Sequence, residues 1–431
     1  MNAHEETTRY ALHALLQAGA DKAGCSVNTS TKHELSVERA ELGLLRTTVN
    51  VSINMLVIKD RKKGSISLNT LERSAIDQAV TEVLSMAAAS QPDQAYDIAE
   101  AQEPRSFVAG GTEPQLDLMY DRMKEFVSAV RVKYPNIMLR EVYLSFNHSK
   151  SSFMNSNEAH FQTSQGIHRC TAIFSGQEGD NVSSFIYTGF ARRELEQPLL
   201  ACGSIDTRLR HASEQVYSQP VWGKFTGDLV IAPDCLGSFL GFITRSLSDR
   251  PIIAGTSVYK DSLGQQIANP IFSLHCRPVS PEIADGYFVT GDGYAAENST
   301  LIDHGVLRSY LLTLYGAKKT GRQRAVNNGG AYVVDPGDKS LDEIIASVKR
   351  GILITRFSGG SPSANGDFSG VAKNSYYIED GKVAYPIRET MVSGNFVEAF
   401  RHLSAISRER VDFGWAVLPW VCIPGISISG K

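Results

Sequence analysis

No stretch of the 431-residue chain contains eighteen consecutive apolar residues, so no helix is expected to span a membrane. The most apolar segment, Trp415 to Ile428, is broken by Pro419 and Pro424. The start, Met1 to Tyr10, carries Glu5 and Glu6 and no apolar core, so a signal peptide is not expected. The six cysteines, Cys25, Cys170, Cys202, Cys235, Cys276 and Cys422, never fall at C-x-x-C spacing. Reduced thiols in a cytoplasm are the simplest reading of that scatter. An excess of one charge is missing too. With 43 basic and 46 acidic residues the net charge is -3, which is no footprint for nucleic acid. The one dense basic run, Lys59-Asp60-Arg61-Lys62-Lys63, reads as a hairpin turn between two apolar strands. No repeat of fixed period and no low-complexity tract is found.

What is present is the composition of an ordinary soluble globular protein, 42% hydrophobic and 21% charged. The length calls for two or three domains. Apolar positions Tyr10, Leu12, Leu15, Leu16 and Ala20 predict a first amphipathic helix over 5–23. The strict alternation of Val49 to Met55 predicts a half-buried strand, with 64–69 as its hairpin partner. Thr70 is a plausible N-cap for a second helix reaching about Ala88. The polar stretch 91–114, rich in proline and glycine, reads as a linker. A helix is expected over 115–134, strands over 137–190 and another helix near 207–219. A short buried strand, Asp228 to Ala232, precedes Pro233, which suits the first turn of a helix reaching about Leu247. Short strands and glycine-rich turns fill the rest, with one helix at 341–351. The expectation is an α+β protein: an N-terminal α/β unit over 1–95, a central α/β unit over 112–222 and a β-rich C-terminal domain over 226–431.

Chemistry is sparse. A metallopeptidase helix needs two histidines on one face to hold zinc and a glutamate to take the proton from the metal-bound water. Only His4-Glu5 and His33-Glu34 pair these residue types, and neither has a second histidine four or five positions on. His168 and Cys170 share a strand face and His275-Cys276 are adjacent, but two ligands make no zinc site; ordinary packing is the better reading. Cys235 sits at the start of the Pro233 helix, where the macrodipole favours a thiolate. It is the one candidate nucleophile, and with no activating histidine on that helix a small core residue is the better reading. The run Ser358 to Gly370 has glycines but no Gly-Lys-Ser ending, so it is no phosphate loop. It leads into Asn374 to Glu379, the turn Asp380-Gly381 and Val383 to Ile387, a hairpin signal.

These C-terminal pieces resemble the TldD/PmbA family of peptidase-related proteins, to which the older label modulator of DNA gyrase also attaches. The resemblance lies in Gly366-Asp367-Phe368-Ser369, in Tyr377 to Pro386 and in Val392-Ser393-Gly394-Asn395. Upstream, Asp303 to Leu307, Tyr310 to Leu312 and Tyr315 to Gly321 fit the same family, as do Gly19-Ala20-Asp21 and Lys63-Gly64-Ser65. The resemblance implies a His-Glu-x-x-x-His zinc motif on the helix opening the third unit of catalytic, TldD-type members, with a further cysteine ligand near the C-terminus. Here that helix reads Asp234 to Phe242 without histidine or glutamate, and the cysteine position falls near Phe413-Gly414, short of Cys422.

That pattern is similar to the PmbA (TldE) branch. It implies no metal or cofactor and no catalytic residue of this chain's own, and zinc in a TldD-type partner subunit. The partners it implies are that subunit and an unfolded or leader-type peptide, with no nucleic acid and no membrane. An extended peptide bound as an added strand needs mainly backbone bonds, and Gly359, Gly360, Asp367, Phe368 and Ser369 are the candidate contacts. Tyr376, Tyr377 and Trp415 are candidate interface aromatics, and a homodimer is the fallback without the partner. Two alternatives stay open: a stand-alone peptidase using Cys235 or a His275-Cys276 metal pair, and a non-enzymatic peptide-binding scaffold.

Overall fold

The computed structural model describes residues 3–38 and 41–431. In its first half the elements run α1 (Ala3–Gln17), β1 (Lys22–Glu38), β2 (Glu41–Lys59), β3 (Lys62–Leu68), α2 (Arg73–Ala89), β4 (Arg105–Ala109), α3 (Leu116–Lys133), β5 (Ile137–Asn155), β6 (His160–Glu178), β7 (Asn181–Val182), β8 (Ile186–Arg192) and α4 (Ile205–Glu214). Among the described residues these strands form one eight-stranded sheet, in the order β3-β2-β1-β5-β6-β4, with β7 and β8 also on β6. Residues 1–95 and 112–222 therefore share a sheet. β1 pairs with β5 antiparallel from Gly24↔Asn155 to Glu38↔Glu141.

Period-two patterning decides which face is covered. Ala23, Cys25 and Val27 of β1 and Ile53, Met55 and Val57 of β2 face α1 and α2. Further along the same face, Val142 and Leu144 of β5 and Cys170, Ala172 and Phe174 of β6 meet α3 and α4. The alternation expected around Val49 is present, yet Val49 itself is 71% exposed, because that end of β2 extends beyond its helices. The basic run is the expected turn: Lys59 pairs with Lys62 across Asp60 and Arg61, both at positive φ. The 91–114 stretch departs from a plain linker. It contains β4, which pairs in parallel with Phe161 to Gln165 of β6. Flanking Pro104 and Gly110 hide so short a strand, and its partner lies more than fifty residues away in sequence.

The second half runs β9 (Lys224–Ile231), α5 (Pro233–Ser246), α6 (Asp249–Ile253), β10 (Leu274–Cys276), β11 (Ser299–Asp303), β12 (Val306–Leu307), α7 (Leu314–Thr320), β13 (Tyr332–Val334), α8 (Leu341–Ala346), β14 (Arg350–Ile354), β15 (Arg356–Gly359), β16 (Asp367–Lys373), β17 (Ser375–Glu379), β18 (Lys382–Ile387), β19 (Thr390–Asn395), α9 (Phe396–Arg401), β20 (Ala405–Asp412) and β21 (Val417–Ser429). Among the described residues its thirteen strands form a second sheet, with β9 and β14 parallel near its centre. Both are covered on two faces. Leu229, Ile231, Ile352 and Ile354 pack into the α5 core, whereas Val230 and Leu353 pack with Ile344 and Ile345 of α8. Burial on both faces is why the ends of these strands, Leu229 to Ile231 and Ile352 to Ile354, are unbroken apolar runs. The helix expected over 341–351 stops at Ala346, because Arg350 already begins β14.

The two halves are stitched by polar contacts. Arg169 donates Nε and Nη2 to Asp285 at 2.7 and 2.6 Å. The Ala191 amide donates to the Phe413 carbonyl at 2.8 Å, and Gln215 donates to the Ser375 carbonyl at 2.8 Å. No helix among the described residues is long and apolar enough to cross a membrane.

Candidate functional site

Helix α5 follows β9 directly. Ala232, extended at φ -72° and ψ 153°, precedes Pro233 at the first helical position. Proline gives up no needed donor there and sets φ for the helix. One face of α5 is apolar and inside: Cys235, Leu236, Phe239, Leu240 and Ile243. Phe239 lies 5.5 Å from Phe357 and 5.2 Å from Phe396, ring centre to ring centre. The other face is bare. Gly237 and Ser238 are exposed, and a Cβ added at Gly237 would meet nothing within 4 Å.

That face opens on a cleft of about 300 Å³ between the two sheets. Thr171, Tyr187, Thr188 and Gly189 wall it from the first sheet, Arg208 from α4, Thr355 to Phe357 from β14–β15, and Phe413, Trp415 and Leu418 from the β20–β21 connection. Its polar floor is a linked set. Ser204 donates to Asp234 Oδ1 at 2.6 Å, and Arg208 Nε stands 3.7 Å from the same oxygen. Arg208, 2% exposed, donates through Nη1 to the Thr355 carbonyl at 3.2 Å. A larger cleft of about 620 Å³ lies on the far side of Asp234, between α4, α8 and the β17–β18 hairpin.

Cys235 is 2% exposed, and burial pushes its thiol up to about 12. Desolvation outweighs the helix dipole here, so the thiolate is not formed near neutral pH. The position near Phe413-Gly414, where the resemblance leads to the expectation of a cysteine ligand in catalytic members, has no room for one here. Phe413 is a core residue, and Gly414 has φ +87° with a built Cβ only 2.0 Å from the Ala191 carbonyl oxygen. His275 is occupied by Thr300 at 2.9 Å and Asp335 at 3.0 Å, and burial drives the Cys276 thiol up to about 12. His168 packs 4.8 Å from Phe146 and faces the Arg193 carbonyl at 3.2 Å. Among the described residues no three His, Cys, Asp or Glu side chains group as metal ligands.

The five peptide-contact candidates separate. Gly359 and Gly360 are exposed at the end of β15. Asp367 accepts from Asn365 and Asn395, each at 2.9 Å, and the Asn395 and Asn365 amides hold its carboxyl below the usual range. Ser369 is exposed, but Phe368 is 5% exposed and stacks 4.3 Å from Phe396. Phe368 is core, because the register that exposes Asp367 and Ser369 turns it inward. Tyr376 and Tyr377, each 4% exposed, face the core rather than a partner, whereas Trp415 remains 41% exposed. Sequence reasoning did not single out Tyr187, Arg208 or Arg356. They stand in ordinary strand and helix patterns, and only folding brings them to α5.

The model of the PmbA/TldA metallopeptidase C-terminal domain matches residues 224–430. Over 98% of this chain and 96% of the other, the sequence is 24% identical to the Metalloprotease PmbA of Escherichia coli O157:H7. It is 25% identical to a zinc metalloprotease TldD homolog of Saccharolobus solfataricus over 46% of each chain. The crystal structure of TldE from Thermococcus kodakarensis superposes with a TM-score of 0.86 at 20% identity, covering 98% of this chain and all of that one.

Proposed function

We propose that this chain, which belongs to the PmbA/TldD family of metallopeptidase-related proteins, is a subunit without its own zinc site that helps bind or enclose an extended peptide for hydrolysis by a TldD-type partner. The observation that carries the reading is the α5 cleft. Its helix offers Gly237 and Ser238 where a hydrolase would need ligands and a base, and between Phe413 and Trp415 of its far wall stands Gly414, which has no room for a side chain. What the cleft does offer is suited to holding a chain: β8, which pairs with β6 alone among the described residues and is mostly buried apart from exposed Tyr187, together with exposed Trp415. Edge strands accept peptides through main-chain bonds. Zinc, in this reading, belongs to the partner, and the buried free thiols fit a cytoplasmic setting.

The test is reconstitution. The purified chain alone should leave an unfolded peptide intact. A homologue bearing the His-Glu-x-x-x-His motif should cleave it when this chain is added, and a chelator should stop the reaction. Cleavage by the homogeneous chain alone, or no effect of this chain on any such homologue, would remove the subunit reading.

A further inference from the structure

We propose that the cleft between β8 and α5 receives the C-terminal residue of a peptide, with its carboxylate between Arg356 and Arg208 and its apolar side chain against Tyr187, Phe413 and Trp415. This rests on the peptide-binding reading above and names the part of the peptide that the cleft takes.

Charge comes first. Arg356 donates Nη1 to the Phe185 carbonyl at 2.6 Å and lies 4.4 and 5.5 Å over the Phe185 and Tyr187 rings. Among the described residues no carboxylate pairs with Arg356, so its remaining N–H groups carry an unneutralised charge beside the cleft. Arg208 is 2% exposed, and its Nε faces Asp234 Oδ1 at 3.7 Å, an ion pair too long for a hydrogen bond. Buried guanidinium donors without a hydrogen bond are uncommon and call for an acceptor. Asp234 is the single acid lining this cleft, and its Oδ1 already accepts from Ser204. The lining thus holds two guanidiniums, Arg208 beside Asp234 and Arg356 without a carboxylate, and a second carboxylate would balance the charge. Planar guanidinium forks match carboxylates in charge and shape.

Size and backbone agree. About 300 Å³ is the lower end of the ~300–1,000 Å³ range of small-ligand clefts, which suits one terminal residue rather than a folded segment. The Ala191 amide points out of β8 to the Phe413 carbonyl. Antiparallel pairing with β6 alternates, so the Gly189 and Tyr187 amides point out on the same edge. They are placed to bond the residues that precede a bound C-terminus.

The experiment is calorimetric titration of the full chain at low salt. The probes are a peptide of four alanines ending in phenylalanine, its C-terminal amide, and N-acetyl-phenylalanine. The free acid should bind about tenfold or more tightly than the amide, since a charge-assisted pair is lost. Arg356→Gln, checked for an unchanged melting temperature, should abolish the difference between acid and amide. Trp415→Ala should weaken both peptides together. Equal affinity of acid and amide, an unaltered acid preference in Arg356→Gln, or no binding of either peptide overturns the proposal. N-acetyl-phenylalanine binding as tightly as the peptide acid would assign the cleft to a free acid and overturn it likewise. Each of these results is independent of whether the chain activates a zinc-bearing homologue.

Discussion

A buried thiol and a glycine define what the α5 cleft does not do. All six cysteines are buried and free. Burial raises Cys25, Cys170, Cys235 and Cys276 to about 12 and Cys422 to about 11. A disulfide-exchange reagent should therefore find no fast-reacting thiol in the native protein and six after denaturation. A native thiol reacting at the rate of an exposed cysteine would contradict the structure. Cys235→Ala should cost about 1 kcal/mol of stability and leave partner-dependent hydrolysis unchanged. Gly414 is constrained by conformation and by space. At φ +87°, with the Ala191 carbonyl in the way, Gly414→Ala should destabilise by at least about 1–3 kcal/mol in denaturant titration. A neutral substitution there would mean that the β20–β21 turn does not dock on β8 as described.

Helix α4 connects the two sheets and carries a pH-sensitive group. His211 packs 5.0 Å from Tyr376, whose hydroxyl donates to Glu214 at 2.5 Å. Burial, reinforced by the positive charges of Arg208 and Arg210, holds His211 well below its ordinary 6.5. The unfolded chain takes up that proton below about pH 6.5 and the folded chain does not, so the stability it contributes is present above that pH and lost as pH falls. His211→Phe keeps the ring contact and removes the titration. Between about pH 7.5 and 5.5 the denaturation midpoint of the parent should fall further than that of the variant. His168, also lowered by burial, leaves the variant a residual slope. Equal falls would show that His211 is protonated in the fold.

At the scale of the whole molecule, the aromatics expected at an interface serve two different purposes. Tyr376 is 4% exposed beside α4 and Tyr377 is 4% exposed in the α5 core. Tyr376→Asp should fail to fold, because it buries an unpaired charge. Trp415→Glu should fold with an unchanged circular dichroism spectrum and lose partner-dependent hydrolysis, because Trp415 is 41% exposed on the rim of the cleft. A stable Tyr376→Asp protein, or a fully active Trp415→Glu protein, would place the functional surface elsewhere. The tie between sheets also belongs at this scale. Arg169 and Asp285 join residues 116 positions apart by a bidentate pair.

Features that need only a few neighbouring residues were legible before the structure. Asp380-Gly381 turns the β17–β18 hairpin because φ values of 47° and 75° suit those residue types. Pro233 starts α5, and the absence of histidine and glutamate from Asp234 to Phe242 is a fact of composition that no folding alters. The apolar run from Leu229 to Ala232 forecast the buried end of β9, whereas β14 was not forecast, its first residues having been read as the end of a helix over 341–351. Features that depend on distant partners were not legible. The first two expected units form one sheet because β1 pairs with β5 across more than a hundred residues, and main-chain pairing leaves little trace in side-chain pattern. β4 was masked in the same way. Phe368, Tyr376 and Tyr377 turned inward because strand register sets direction, while their type suits either a core or an interface. The α5 cleft draws Tyr187, Arg208 and Arg356 from three elements and Trp415 from the β20–β21 connection, each locally unremarkable. Local sequence settles φ, period and composition; which side chains converge is decided by long-range packing, because only the folded chain brings those elements within reach of one another.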